Sequence, residues 1–172
     1  MTDLVPLYAR RIIDPRDVPN WVDHVQSDDP RYRGGLRNGA ETWSVDASAQ
    51  GHVIPSLTAE DLARGHIYAS TWPSVFIAGY ADHVRIVSLR PLAPERTELV
   101  AEWLFTPEAL VDTDYDLNNV VDFARLVIEQ DVKACELNQR GLHAAPLEAG
   151  VLMPEEYLLK RFHDWVRAGL DP

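Results

Sequence analysis

Asp131 lies inside NNVVDFARLVIEQDVKACELNQRG, residues 118–141, a stretch with the spacing of a long amphipathic helix. At about 100° per residue, Val120, Val121, Ala124, Val127, Ile128 and Cys135 fall on one side. Asp122, Arg125, Glu129, Lys133, Glu136 and Arg140 fall on the other. Asp131 follows Val127 and Ile128 by one turn and precedes Cys135 by another, which puts it within the apolar stripe. An ionised carboxylate buried without a partner costs several kcal/mol. Three remedies are open: protonation, a cation from another element, or a bound metal. On the pattern alone, a helix-edge position or half of a buried ion pair ranks ahead of a metal ligand. Val121, Ala124, Val127 and Ile128 share the face of Asp131 and are candidates to line a substrate cavity; packing against a sheet would use the same residues.

Other chemistries are narrowed by composition. The single cysteine, Cys135, excludes an intrachain disulfide and any site needing two cysteines from this chain. One turn from Asp131, it reads as a small buried hydrophobe rather than a catalytic thiol. None of the six histidines (24, 52, 66, 83, 143, 163) lies three to five residues from another, so no local His pair is offered to a metal. His143 and His163 are weak substitutes as ligands, and no residue is assigned an acid–base or nucleophilic role. A net charge of −11, with no large Lys/Arg cluster, argues against a nucleic-acid partner. No apolar run approaches the roughly 18 residues of a membrane span, and MTDLVPLYARR lacks a signal-peptide layout. The expectation is a cytoplasmic protein that does not enter membranes.

The 172 residues amount to one domain, of which 46% are hydrophobic and 25% charged, ordinary values for a globular chain. Residues 1–40, broken by Pro6, Pro15, Pro19, Pro30 and Gly34–Gly35, predict an irregular opening segment with a short helix after Pro19. Residues 41–172 carry the sheet and helices. The alternation Thr42, Ser44, Asp46, Ser48 against Trp43, Val45, Ala47 predicts a half-buried strand. Thr58 to Asp61 (TAED) is a capping box for a short helix ending at Arg64. Extended segments follow around Pro73, over His83–Arg90 and over Arg96–Phe105, an antiparallel meander. Trp72 and Phe76 read as core aromatics. Thr106–Pro107 places an N-cap and N1 pair, Asn118 or Asn119 caps the long helix, and Gly141 ends it. A last helix spans about Pro154–Gly169, with Tyr157, Leu158, Phe162, Trp165 and Val166 as its apolar face. The fold class is α+β.

Tyr68-x-x-x-Trp72-Pro73, IVSLRPLAPERTELVAEWLF (86–105), QDVKACELNQRGL (130–142) and GVLMPEEYLLKRFHDWV (150–166) together resemble the C-terminal catalytic half of Rieske-type non-heme iron oxygenase large subunits. These are the ring-hydroxylating and quaternary-amine-oxidising enzymes, and the resemblance runs from about residue 67 to 170. It implies a helix-grip (START-like) antiparallel sheet curled around the long C-terminal helix and enclosing an apolar cavity. It also implies a mononuclear Fe(II) held by two histidines and a carboxylate. The family's carboxylate position is matched by Asp131. The family's Rieske cysteine–histidine pairs and its two iron-binding histidines have no match here. The chain is therefore expected to be a single, partial catalytic domain over 1–172, lacking an N-terminal region that would carry the histidines and a 2Fe–2S cluster. The implied partners are a small organic substrate, O2, a reductase or ferredoxin, and that missing half or a partner subunit, in a homotrimer. A different class of function is a non-catalytic helix-grip module that binds an apolar ligand or a partner subunit without iron.

Overall fold

A computed structural model describes residues 31–34, 36, 39–144 and 150–170. Its sheet has five antiparallel strands in sequence order: β1 (Arg31–Gly34), β2 (His66–Thr71), β3 (Val75–Gly79), β4 (His83–Ala93) and β5 (Arg96–Phe105). The helices are α1 (Ala59–Arg64), α2 (Pro107–Val111), α3 (Leu117–Ala144) and α4 (Tyr157–Leu170), the last preceded by a 3₁₀ turn at Pro154–Glu156. This is the α+β class expected. The period of two sets the sheet faces. Register places Tyr68, Ala78, Arg85 and Trp103 in one row, and Ser70, Phe76, Val87 and Ala101 in the next, all on one face. On β4 that face carries His83, Arg85 and Val87, all buried, while Val84, Ile86 and Ser88 opposite are half-buried.

The long helix covers this face unevenly. Val120, Phe123 and Ala124 in its first turns are buried, and Phe123 is the largest fully buried side chain of those described. From Asp131 to His143 every residue is exposed. The helix is pinned at both ends. Asn119 Nδ2 donates to Asp46 Oδ1 at 2.8 Å near its start, and His143 Nε2 meets Glu95 Oε1 at 2.8 Å at the β4–β5 tip. Over a span of about 42 Å, α3 thus packs at one end and stands off the sheet at the other. α4 docks through Phe162 and Trp165, whose rings lie 6.1 and 5.9 Å from that of Trp72.

Local signals held where they were short-range. Thr58 and Asp61 form the reciprocal capping box, and Thr106 caps α2 with Pro107 in its first turn. The strand expected over residues 41–48 is instead a run of bends. Its polar side chains close on their own backbone: Ser44 Oγ donates to Ser48 O at 3.0 Å, and Ser48 N to Asp46 Oδ1 at 2.9 Å. The burial is inverted as well, with Thr42 and Ser44 fully buried and Val45 exposed. Residues 31–34, placed in the irregular opening segment, pair with β2 as a strand. The short helix expected after Pro19 lies outside the described residues. Asp116, not Asn118 or Asn119, accepts the first free helix amide, from Asn118 N at 3.0 Å. Gly141 does not stop α3, which continues to Ala144, a local cost of about 1 kcal/mol set against the His143–Glu95 tether.

Candidate active-site cavity

Where α3 stands off the sheet, a cavity of about 1140 Å³ opens between them. Its sheet wall is formed by Tyr68, Phe76, Arg85, Val87, Leu89 and Leu99, with Trp43 from the 41–50 loop. Its helix wall is formed by Val127, Ile128, Asp131, Val132 and Cys135, with Glu136, Gln139 and Arg140 toward the helix end. Glu95, Arg96 and Thr97 of the β4–β5 tip complete the rim.

Of the residues singled out from sequence, Asp131, Val127 and Ile128 meet on this wall. Ala124 is buried and Val121 half-buried nearer the helix start, outside the lining. Phe76 lines the cavity rather than the core, and Trp72 packs on α4. Cys135 is exposed on the wall rather than buried, because the helix has left the sheet by that turn. Asp131 is likewise not sealed in a core; its carboxylate is open to the cavity. The walls still remove part of its water, and this desolvation pushes its carboxyl upward from the ordinary value, while the Arg85 guanidinium pulls it down. No hydrogen bond or ion pair to another described residue holds the Asp131 side chain, which leaves its oxygens free to face a ligand.

Two supports hold the sheet wall. Trp43 is wedged against His66, Tyr80 and Phe123, with ring centroids 5.6–5.7 Å away. Behind it, the fully buried Asp82 carboxylate accepts from Thr42 Oγ1, pairs with His83 Nδ1 at 2.7 Å and accepts from Tyr115 OH at 3.0 Å. Burial alone would raise the Asp82 carboxyl; the His83 ring, Thr42 and Tyr115 outweigh it and hold it below its usual value. One carboxylate thereby joins the 41–50 loop, the start of β4 and the loop ahead of α3.

Sequence reasoning missed Arg85, Tyr68 and Trp43. The signal was present for Arg85: HVRIVSLR sets His83, Arg85, Val87 and Leu89 in phase, but alternation alone does not say which face is inward.

Burial also pushes the His66 imidazole down to about 4 from its ordinary 6.5, so it is neutral in the folded protein at pH 7. Between those values the unfolded chain binds the proton and the folded chain does not. The contribution of His66 to stability is therefore complete above pH 6.5 and is lost as pH falls toward 4, up to about 3 kcal/mol. His66→Phe is expected to flatten the dependence of Tm on pH across this window, measured by circular dichroism; an unchanged slope would count against the assignment.

A family model described as "Ring hydroxylating alpha subunit (catalytic domain)" matches residues 10–171. Choline monooxygenase, chloroplastic, from Spinacia oleracea is 29% identical over 104 residues, which is 60% of this chain and 24% of that protein. The enzyme of the same name from Atriplex hortensis is 28% identical over 100 residues, 58% of this chain and 23% of the relative. The glycine betaine monooxygenase oxygenase subunit of Pseudomonas aeruginosa is 26% identical over 85 residues, 49% of this chain and 20% of the relative. The chain thus matches about a quarter of the length of these relatives or less. Among the described residues, no helix is long and apolar enough to cross a membrane.

Proposed function

The chain belongs to the ring-hydroxylating alpha-subunit catalytic-domain family, and from that premise we propose that it forms part of the catalytic domain of a Rieske-type oxygenase. In this reading Asp131 is the carboxylate ligand of a mononuclear Fe(II), and the cavity between α3 and the sheet, helix-grip in type, holds a small organic substrate for hydroxylation or N-demethylation. The observation that supports it is the position of Asp131 on the cavity wall, with no salt bridge to another described residue.

The residues fit the metal in part. A carboxylate is one of the three donors of the facial triad. Among the described residues, no group of three His, Cys, Asp or Glu side chains converges, so the two imidazoles would come from outside them. Iron bound there would supply the redox chemistry needed to use O2. The chain's own residues do the rest: Val127 and Ile128 on the helix, with Tyr68, Phe76 and Val87 on the sheet, enclose the substrate and keep water from its apolar side. Electrons would arrive from a reductase or ferredoxin through a 2Fe–2S cluster on an N-terminal region or partner subunit, in a cytoplasmic, trimeric assembly.

The test is O2 uptake by the assembled oxygenase containing this chain, supplied with its reductase and NADH. The expected result is O2 consumption coupled to an oxygenated or N-demethylated product. Binding of an apolar ligand in the cavity with neither O2 uptake nor iron would favour a non-catalytic module instead.

A further inference from the structure

Arg85 presents the cavity with a charge that no described carboxylate pairs with directly. It projects from near the start of β4 on the inward face, is 7% exposed, and is part of the cavity wall. Among the described residues its Nε has no hydrogen-bond partner, and Nη2 makes one long bond, 3.4 Å, to the Tyr80 hydroxyl. The guanidinium carbon lies 6.0 Å from the centre of the Tyr80 ring, a cation–π contact that offsets part of the desolvation. Among the described residues, no carboxylate pairs with it; Asp131 acts on it only through the field across the cavity. Guanidinium does not shed its proton, so a buried one is stable only with anionic or dense polar compensation. The indole Nε1 of Trp43, on the same wall, is a second buried donor with no acceptor among the described residues.

We propose that Arg85 is the anchor for a carboxylate group of the substrate, so that the cavity selects small organic carboxylates over uncharged analogues of the same shape. This inference rests on reading the cavity as the substrate site. Planar guanidinium matches a carboxylate in two parallel hydrogen bonds. The apolar wall of Phe76, Val87, Leu89, Val127 and Ile128 then receives the remainder of the molecule. A ligand that is only cationic would meet a like charge at Arg85. The rim carries Glu95 and Glu136 alongside Arg96 and Arg140, so no single sign of charge at the opening decides the matter.

Titration calorimetry on the metal-free 172-residue chain tests this, with benzoate against benzamide and hexanoate against hexanamide as probes. At least one carboxylate is expected to bind about 10- to 100-fold more tightly than its amide. Arg85→Gln removes that preference and Arg85→Lys keeps part of it. Since Arg85→Gln removes a desolvated charge without breaking an ion pair, its Tm without ligand stays at or above that of the wild type, while the carboxylate raises Tm only in the wild type. Equal binding of both carboxylates and their amides to the wild type overturns the proposal, as does an undiminished preference in Arg85→Gln. Because no iron is present, failure here is separable from failure of the oxygenase reading, which is judged by O2 uptake and iron retention.

Discussion

Asp131→Ala is expected to reduce O2-dependent turnover of the assembled oxygenase to background while leaving the fold intact. Asp131 makes no hydrogen bond or ion pair to another described residue, and it is exposed to the cavity on a turn of α3 that has already left the sheet. Its removal takes away a partly desolvated charge and opens no packed core, so unfolding free energy should change by no more than about 0.5 kcal/mol. A residue that is costly for activity and free for stability is one retained for what it binds. Parallel assays of O2 uptake and urea unfolding on one preparation separate the two effects. A large loss of stability would recast Asp131 as a structural residue, and retained turnover would remove it from the metal site.

Asp82→Ala is expected to do the reverse. Its carboxylate is fully buried and joins Thr42, His83 and Tyr115. Deleting it strands an imidazole and two hydroxyls in the interior, a loss of about 3–5 kcal/mol, or a fall in Tm of about 6–20 °C. The same network fixes a pH dependence. Its depressed carboxyl contributes stability above the pH at which an unfolded aspartate titrates, and that contribution disappears as pH falls through the lower folded value. The variant should therefore lose the acid-side limb that the wild type shows below about pH 4. Because Thr42 neighbours Trp43, the loss should also loosen the cavity wall, read as a weaker ligand-induced rise in Tm. A variant as stable as the wild type would show that the network is dispensable.

How far the sequence could be read follows from the range of each interaction. The capping box at Thr58–Asp61, the Thr106–Pro107 start of α2 and the alternation along the first half of β4 are decided within a few residues, and each is present. The bends at 41–48 escaped because Ser44, Asp46 and Ser48 satisfy their own backbone, which period-two patterning does not register. Gly141 reads as a stop in the helix's own sequence, where the contact of His143 with Glu95 at the β4–β5 tip is invisible. The apolar stripe of α3 was legible, but not that only its first turns would be buried. Asp131, Val127 and Ile128 were found because helical spacing keeps them together; Arg85, Tyr68 and Trp43 come from three separate elements that only the folded sheet assembles. Stripe and cavity are complementary in this respect: one is local, the other tertiary.

The central claim, a carboxylate on α3 that holds iron at the edge of a substrate cavity, is tested most directly by counting metal. The proposed oxygenase assembly is loaded with Fe(II) under anaerobic conditions, passed through gel filtration and assayed for iron beyond that accounted for by acid-labile sulfide. The account predicts about one such iron per chain in the wild type and almost none in Asp131→Ala. Equal retention by the two proteins would contradict it.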